Sequence, residues 1–487
     1  MQHASTVLLL TGAALLTTSC TTILGDDFAI AGGGGQAGQG GGGGTGGGAC
    51  TPNTTSCADE ATLRTCDDQG QPHDTACPVA TPACVNGACV PCQDGATGCQ
   101  GSDVIQCVAG GWQVQESCSV GCEGAACLQV LDIGAGVAHT CAVLSNGTVR
   151  CWGYDQLELL YLDGLTNPPP ANTYVTTPTP VTGMQNAARV QGGDAHSCAL
   201  TSAAELACWG WNGVGQLGTG TYANETSPSV VTLSSSVVDF ALGTGHTCAA
   251  LATGPVACWG LNEQGQIGNG SSGANQTVPT PFELTLGLPA ANVTAGSDHT
   301  CARSTGEEVG CWGGNSSGQL GTGDTTSSTT PVGSLGEGVK QIRAGAWHTC
   351  AVLFQQLVCF GSNNYGQIGS GSAGGNALSP TAPTGMGTVK QIEAGGMHTC
   401  VIDPSDQLWC WGRNDEGQIG NGQSGTGVEQ PDPVQVNIGT VRDVAAGHLH
   451  TCALTTDNVV YCWGLNNRGQ LGTGDTTSQA TPTPVVW

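Results

Sequence analysis

Histidine and cysteine recur together in seven sets along the chain, a pattern that can bind metal or form disulfides. Each set opens with a His-x-Cys triplet, and a second cysteine follows nine or ten residues after the first. The histidines are His139, His196, His246, His299, His348, His398 and His450. One imidazole and two thiolates are typical zinc ligands, but two cysteines joined in a disulfide leave no thiolate for a metal. We favour the disulfides and expect no metal and no cofactor.

The residues between the two cysteines of a set predict a β-hairpin that brings the cysteines together. In the first set, Ser145-Asn146-Gly147 lies midway between Cys141 and Cys151. Gly147 can take the left-handed conformation that a three-residue hairpin loop needs, and this register places the cysteines opposite each other. The predicted pairs are Cys141–Cys151, Cys198–Cys208, Cys248–Cys258, Cys301–Cys311, Cys350–Cys359, Cys400–Cys410 and Cys452–Cys462.

Twelve further cysteines between residues 50 and 127 form two matching groups of six. The first group defines a module at residues 50–90 and the second a module at residues 91–127. A module of about forty residues cannot build an adequate core without staples, so we expect three disulfides in each. Their connectivity stays open, and zinc is the alternative. With the fourteen cysteines of the seven sets and Cys20, they make up all 27 cysteines, so no thiol remains for nucleophilic catalysis.

The composition of the chain excludes several classes of partner. Its 487 residues include 10 Lys and Arg against 36 Asp and Glu, which gives a formal charge of −26. Binding to nucleic acid depends on contacts from Lys and Arg to phosphate. We therefore expect no nucleic-acid partner and no docking on an anionic membrane face. Many cysteines are typical of an oxidising compartment, which indicates export.

The N-terminus resembles the signal of a bacterial lipoprotein. Val7–Leu16 is an apolar run too short to span a bilayer, and Thr17-Thr18-Ser19-Cys20 follows it. By this resemblance residues 1–19 are a signal peptide, Cys20 is lipidated, and residues 20–49 are a lipidated N-terminus with a Gly-rich tether. The implied location is the outer membrane or the cell surface, with membrane contact only through the lipid anchor. The alternative is an ordinary secretory signal and a secreted protein.

The seven sets belong to a longer repeat that extends over residues 128–487. The second cysteine lies in a Cys-Trp-Gly motif in six copies, and the histidines recur every 49 to 57 residues. Periods near fifty with strand-like patterning indicate a propeller. We therefore predict an all-β chain: a seven-bladed β-propeller preceded by the two small disulfide-rich modules and the Gly-rich linker. We interpret the repeated Trp as packing residues and each repeat histidine as hydrogen-bonded to backbone within its own blade.

The repeat resembles the regulator of chromosome condensation family. The matching residues read HTCAL…CWGxNxxGQLGxG and cover residues 129–487. The resemblance implies a seven-bladed propeller, while the paired cysteines depart from the intracellular members. A secreted bacterial member of the superfamily is a protein inhibitor of β-lactamase, and that precedent fits an exported chain. Because the chain ends on a Pro-rich strand, Thr481–Trp487, we expect this C-terminal strand to complete the blade that begins near residue 129 and so to close the ring.

The repeat fails at one place, directly after Cys151-Trp152-Gly153. An apolar segment replaces the Asn-x-x-Gly-Gln motif there, and it contains Leu157, Leu159, Leu160, Tyr161 and Leu162. Exposed apolar patches mark partner sites, so we hypothesise that these residues bind a partner. The alternative is that they pack on the adjoining module or cap the closing blade.

Catalysis has little support in the sequence, and we predict no catalytic residue. The chain has no phosphate loop that ends in Gly-Lys-Ser/Thr. We expect a monomeric cell-surface or secreted protein that serves as a binding module or scaffold for a protein or a glycan. The alternatives are an exported enzyme with carboxylates from different blades in its central channel, a protein inhibitor of an extracellular enzyme, and a structural envelope protein.

Overall fold

The chain folds into two units whose described regular elements are all β-strands. The computed structural model describes residues 102–108, 111–154, 174–274 and 277–487 and, before them, short strands between residues 55 and 100. The two units are Met1–Leu128 and Gln129–Trp487. In the part of the chain so described, no helix is long and apolar enough to cross a membrane.

The first unit contains short antiparallel strands stapled by disulfides. Its strands are β1 (Thr55–Asp59), β2 (Thr62–Cys66), β3 (Pro72–Ala76), β4 (Ala83–Val85), β5 (Ala88–Val90), β6 (Thr97–Gln100), β7 (Asp103–Val108), β8 (Gly111–Ser117), β9 (Cys122–Glu123) and β10 (Ala126–Cys127). Strands β1–β3 and β6–β8 form three-stranded sheets, and β4–β5 and β9–β10 form pairs. The disulfides Cys99–Cys122 and Cys118–Cys127 lie in the part predicted to be the second module. They supplement a small core around Ile105.

The second unit is a propeller of seven four-stranded blades, as the repeat predicts. In every blade the four strands pair in chain order, and the first strands line the centre of the ring. Blades 1 to 4 are formed by β11 (Val130–Ala135), β12 (His139–Leu144), β13 (Val149–Tyr154) and β14 (Tyr174–Pro180); β15 (Ala187–Gly192), β16 (His196–Thr201), β17 (Leu206–Gly210) and β18 (Glu225–Val230); β19 (Val237–Leu242), β20 (His246–Leu251), β21 (Val256–Leu261) and β22 (Thr277–Leu284); and β23 (Ala290–Ala295), β24 (His299–Ser304), β25 (Val309–Gly313) and β26 (Ser328–Gly333).

Blades 5 to 7 repeat the same order of strands. They are formed by β27 (Val339–Ala344), β28 (His348–Leu353), β29 (Gln356–Ser362) and β30 (Asn376–Thr381); β31 (Gln391–Ala394), β32 (His398–Ile402), β33 (Leu408–Arg413) and β34 (Glu429–Val436); and β35 (Val441–Ala446), β36 (His450–Thr455), β37 (Val460–Gly464) and β38 (Gln479–Pro484).

A tight hairpin joins the second and third strands of each blade and sets their register. In blade 1, Gly147 adopts a positive φ of 80°, as the three-residue loop requires, and Cys141 pairs with Cys151. In blade 4, Glu307 takes the left-handed conformation instead of a glycine. Its carbonyl accepts a hydrogen bond from the N–H of Val339 at 3.1 Å. Since Val339 begins the first strand of the next blade, the hairpin orders its own blade and also holds its neighbour.

The hydrophobic core of the propeller lies between successive blades. One cluster joins Val143 and Val149 of blade 1 to Val190 and Trp209 of blade 2, and corresponding clusters follow around the ring. The tryptophans of the Cys-Trp-Gly motifs are all fully buried: Trp152, Trp209, Trp259, Trp312, Trp411 and Trp463. Full burial of a large apolar side chain contributes about 1.5–3 kcal/mol, so these residues stabilise the contact between blades.

The predicted mode of ring closure is wrong. Strand β38 pairs with β37 of blade 7, while the blade that begins near residue 129 has its own fourth strand, β14. A proline-containing strand follows the strand of the second cysteine in every blade, so antiparallel pairing of consecutive strands completes each blade before the next begins. Contacts between blades 7 and 1 close the ring instead. The rings of Trp152 and Trp487 lie 5.9 Å apart between centroids, and Gly474 N–H donates to Thr176 O at 2.9 Å.

Candidate functional site

One disulfide joins the second and third strands in each blade, and the seven pairs are those predicted from the spacing. In blade 1 the Cα atoms of Cys141 and Cys151 are 4.1 Å apart. The sulfur atoms of these pairs are bonded to each other, so they are not thiolates that could ligate a metal or attack a substrate. Within the described ranges, no group of three or more His, Cys, Asp or Glu side chains could hold a metal ion.

The seven repeat histidines form a closed ring of hydrogen bonds from blade to blade. Each Nε2 atom lies 2.9 or 3.0 Å from a hydroxyl oxygen in the next blade, which belongs to Ser197 in one blade and to threonine in the other six. The bond between His450 and Thr140 joins blade 7 to blade 1. The expectation that each histidine bonds to backbone of its own blade is therefore wrong, because Nε2 points across the blade boundary.

A second hydrogen bond of the hydroxyl group fixes the tautomer of the histidine. Thr300 Oγ1 donates to the backbone carbonyl of Gln266 at 2.8 Å, so its one proton is not available to His246. His246 Nε2 must then carry the proton and donate to Thr300. Burial lowers the pKa of His246 to about 4, which keeps the ring neutral at neutral pH. These histidines therefore hold the blades together and do not exchange protons with a ligand.

The same glutamine carbonyl also accepts a hydrogen bond from the tryptophan of the next blade. Trp312 Nε1 donates to Gln266 O at 2.8 Å, beside the threonine. The sequence of blade 1 has no glutamine motif, because the irregular segment takes its place. Trp209 Nε1, which is buried at the junction between blades 1 and 2, has no hydrogen-bond partner among the described residues.

Two predicted sites fall outside the part of the chain that the structure describes. The hypothetical partner-binding residues lie within residues 155–173: Leu157, Leu159, Leu160, Tyr161 and Leu162. The predicted lipidation site, Cys20, precedes the first described strand. Both sites stay predictions.

A polar channel of about 590 Å³ runs through the centre of the ring. Ion pairs between first strands line it: Arg189 lies 2.6 Å from Asp239, and Arg343 lies 3.2 Å from Glu393. Glycines line its wall where the ring of histidines packs behind it. A Cβ atom at Gly296 would lie 2.3 Å from Cε1 of its own blade's histidine, so this position requires glycine.

Two carboxyl groups on adjoining blades, Asp132 of blade 1 and Asp443 of blade 7, line the channel. Asp132 Oδ2 accepts a hydrogen bond from Val190 N–H at 2.7 Å, and Asp443 Oδ1 accepts one from Gln391 Nε2 at 2.8 Å. Burial, and next the charge of Asp443, raise the pKa of Asp132 to about 8. Burial also raises the pKa of Asp443. The sequence left open whether carboxylates from different blades meet in the channel; Asp132 and Asp443 both line it, and the charge of Asp443 acts on Asp132.

In six blades a β-bulge at the start of the first strand turns one side chain out of the strand pairing. In blade 6 the register does not shift, and Lys390, at the equivalent position, directly precedes β31 and donates its N–H to Ile402 O at 2.7 Å. In blade 1 the register shifts between Val130 and Asp132, which leaves Leu131 unpaired, and five other blades show the same shift. The residues at this position, here called the rim residues, are Leu131, Ala188, Val238, Ala291, Lys340, Lys390 and Arg442. Six of them are exposed, and Ala291 is half-buried.

The rim residues lie on the face of the ring that carries the seven hairpins, here called the hairpin face. Leu131 and Val238 are 49% and 47% exposed. Two further apolar side chains lie on this face. Phe354, in the hairpin of blade 5, is 71% exposed, and Leu288, just before β23, is 43% exposed. The hairpin face therefore presents both apolar and basic side chains to solvent.

Reasoning from the sequence missed the rim residues, although the repeat contained a signal for them. Each one lies eight residues before a repeat histidine. Alignment on the histidines therefore places Lys340, Lys390 and Arg442 at one position of three consecutive copies. The sequence pattern does not show that this side chain leaves the pairing, because a bulge depends on the hydrogen-bond register between two strands.

These features define a seven-bladed β-propeller with an internal disulfide in every blade and a ring of side-chain hydrogen bonds between blades. The chain belongs to the regulator of chromosome condensation (RCC1) repeat family. One model of this repeat matches residues 206–250, 254–303, 308–352, 356–402, 405–454 and 457–487. A second matches all seven copies, at residues 130–157, 188–216, 237–266, 290–319, 339–367, 389–418 and 441–470.

Several known proteins are similar to this chain in sequence or in fold. Ultraviolet-B receptor UVR8 of Arabidopsis thaliana is 30% identical over 303 residues, which are 61% of this chain and 69% of that protein. E3 ubiquitin-protein ligase HERC2 of Homo sapiens is 31% identical over 40% of this chain, but that match spans 4% of HERC2. The structure of yeast RCC1 bound to Kap60 has a TM-score of 0.59 at 23% identity, over 73% of this chain and 84% of that chain. Human WBSCR16 has a TM-score of 0.59 at 22% identity, over 67% of this chain and 87% of that one. The structures share the propeller fold with this chain.

Proposed function

We propose that the protein is a binding module of the cell exterior whose propeller holds another protein on its hairpin face. The observation that carries the proposal is the group of exposed apolar side chains on that face: Leu131, Val238, Leu288 and Phe354. Exposed apolar patches mark protein interaction sites, and an exposed aromatic side chain is a typical anchor in an interface. Protein binding is also in keeping with the fold, since yeast RCC1 binds Kap60 in a solved complex.

The proposed location is outside the cytoplasm, with the chain anchored through a lipid on Cys20 and extended by the Gly-rich tether. The disulfides of the blades support this location, because such bonds persist in oxidising compartments. The partner is then an envelope or extracellular protein. An extracellular enzyme that the propeller inhibits by binding fits the same surface, and the protein needs no catalytic residue for such a role.

A capture experiment with surface variants tests the proposed binding face. The oxidised full-length protein is immobilised and exposed to envelope and culture fractions of its host. The double variant Phe354→Ser, Val238→Ser is expected to capture at least about tenfold less of the specific partner than wild type. It removes an aromatic anchor and a rim side chain. The matched control is Tyr222→Ser, Phe282→Ser, which removes exposed aromatic side chains elsewhere, 49% and 39% exposed. Equal capture by both variants would contradict the proposed face.

A glycan partner and the irregular segment of blade 1 are separate outcomes of this test. Loss of capture in Leu157→Ser, Leu160→Ser, Tyr161→Ser, with full capture by the hairpin-face variant, would move the site to that segment. Binding to a glycan array by wild type, with no protein captured, would replace the protein partner by a sugar.

A second candidate function, an exported enzyme, is favoured by the carboxyl pair in the channel. The raised pKa of Asp132 keeps its carboxyl protonated at neutral pH beside Asp443, and a protonated acid next to a second carboxyl is suited to general acid–base chemistry. A hydrolase screen checks this function. An activity that is lost in Asp132→Asn and in Asp443→Asn at unchanged melting temperature would establish it, whereas an activity that survives both substitutions would place the chemistry elsewhere.

A further inference from the structure

We propose that the hairpin face binds a peptide segment in which carboxylates adjoin apolar side chains. This inference rests on the proposed function and names the chemistry of the partner at that same face. The rim residues divide into two arcs around the channel mouth. The apolar arc lies on blades 1 to 4 and the basic arc on blades 5 to 7: Leu131, Ala188, Val238 and Ala291, then Lys340, Lys390 and Arg442.

The basic arc concentrates positive charge in a strongly acidic chain. Only 10 of the 487 residues are Lys or Arg, and three of them occupy the same repeat position in three consecutive blades. The side chains of Lys340 and Lys390 are 52% and 47% exposed. Since the formal charge of the chain is −26, an acidic partner is repelled by most of the surface, and this arc offers it three cationic donors at one face. Such a charge pattern selects both the partner and its orientation.

The ion pairs and hydrogen bonds that the basic arc makes within the chain leave its side chains accessible to a ligand. Lys340 contacts Glu307, and Lys390 Nζ lies 2.6 Å from Asp406 Oδ1. Arg442 Nη2 donates to two neutral oxygens, Asn458 Oδ1 at 3.1 Å and Val130 O. The two exposed lysine ion pairs contribute about 0–1 kcal/mol each. A carboxylate of a partner can therefore replace or share them at little cost.

The apolar side of the face begins directly beside the basic arc. Phe354 N–H donates to Gly338 O at 3.0 Å, and Gly338 precedes Lys340 by two residues. The exposed phenyl ring of Phe354 lies over Gly338, two residues along the chain from a rim lysine, while Leu131 of the apolar arc follows Arg442 around the ring. A segment with alternating acidic and apolar side chains matches both arcs. An anionic polysaccharide matches only the basic arc, because it has no apolar side chains for the rest of the face.

The inference is tested with defined probes on the oxidised full-length protein at about 0.05 M salt, where screening is weak. The first probe is a fluorescein-labelled peptide in which pairs of aspartates alternate with phenylalanine and leucine. The second has lysines in place of the aspartates, and the third is polygalacturonate, a carboxylated glycan. The rim variant is Lys340→Gln, Lys390→Gln. The matched control is Arg413→Gln, Arg468→Gln, which removes the same charge from the opposite face, where both arginines stack on tyrosines.

We expect the aspartate peptide to bind wild type, the rim variant to bind it at least about tenfold more weakly, and the control to change by less than about twofold. Equal binding of the lysine peptide or of polygalacturonate, equal weakening in both variants, or no binding of the aspartate peptide would each overturn the inference. The capture experiment with envelope and culture fractions, repeated with the rim variant, distinguishes the proposed binding face from the proposed acidic partner. If Phe354→Ser, Val238→Ser abolishes capture and the rim variant does not, the binding face stands and the acidic partner is wrong.

Discussion

The free energy of unfolding is expected to fall steeply as the pH is lowered from 6.5 to 5. Burial lowers the pKa of every repeat histidine to about 3 or about 4, whereas in the unfolded chain it is about 6.5. Below that pH only the unfolded state takes up these protons. Each histidine then favours unfolding by about 1.4 kcal/mol for each pH unit.

The total effect of seven histidines is large enough to unfold the propeller. Over the full interval between its two pKa values, each histidine contributes about 3–5 kcal/mol against folding. A single domain is ordinarily stable by about 5–15 kcal/mol. Asp132 acts in the opposite direction: its raised pKa gives stability that is present below the unfolded value of 3.8 and is lost as the pH rises through about 8. Burial also raises the pKa values of Asp443, Glu393, Asp194 and Asp298, and these carboxyls act in the same direction as Asp132. Five carboxyls do not offset seven histidines, so we expect unfolding between pH 6.5 and 4.

Guanidinium unfolding of the oxidised protein at pH 7, 6 and 5 measures this dependence, and its slope gives the number of protons taken up. The variant His246→Gln should reduce that number by about one. A free energy of unfolding that stays constant between pH 6.5 and 5 would show that the buried histidines are not neutral donors.

The substitution Thr300→Val is expected to lower the free energy of unfolding by about 2–4 kcal/mol at pH 7. Valine keeps the shape of the fully buried threonine but removes both hydrogen bonds of its hydroxyl group. His246 Nε2 loses its acceptor, and Gln266 O keeps only the bond from Trp312. A buried donor left without a partner costs about 1–3 kcal/mol, and the lost bond to the carbonyl adds to that cost.

Two control substitutions separate the hydrogen-bond ring from general effects of a changed side chain. Thr232→Val changes an exposed threonine and should stay within about 0.5 kcal/mol of wild type. Ser197→Ala breaks one bond of the ring, to His139, at the junction that lacks the glutamine motif, so its loss should be smaller than that of Thr300→Val. Guanidinium midpoints at unchanged slope measure all three variants. Equal midpoints for Thr300→Val and Thr232→Val would show that the ring contributes nothing to stability.

The blades were predictable from the sequence because their pairing is local. Cys141 and Cys151 lie ten residues apart around a turn signal, and consecutive antiparallel strands with a tight turn have few alternative registers. Seven copies of the same pattern then fix the number of blades. The prediction that Thr481–Trp487 completes the first blade was wrong, because the boundary of a repeat in the sequence does not show where a blade begins.

The candidate sites were less predictable because they depend on contacts between blades. Asp132 and Asp443 are 311 positions apart and interact only because blade 7 adjoins blade 1. The partner of His246 was assigned to the wrong blade, although the threonine that follows nearly every repeat histidine was visible in each copy. Local patterning carries no information about which face of one blade contacts the next.

The sequence by itself therefore determined the all-β class, the seven blades and the disulfide of each blade, since these follow from turns and spacings within about ten residues. Tertiary structure decided how the ring closes, which atom each histidine bonds, and which side chains leave the first strand at its bulge. The hairpin face exists only in the assembled ring. Lys340, Lys390 and Arg442 form one basic arc because three blades stand side by side and present the same position to the same face.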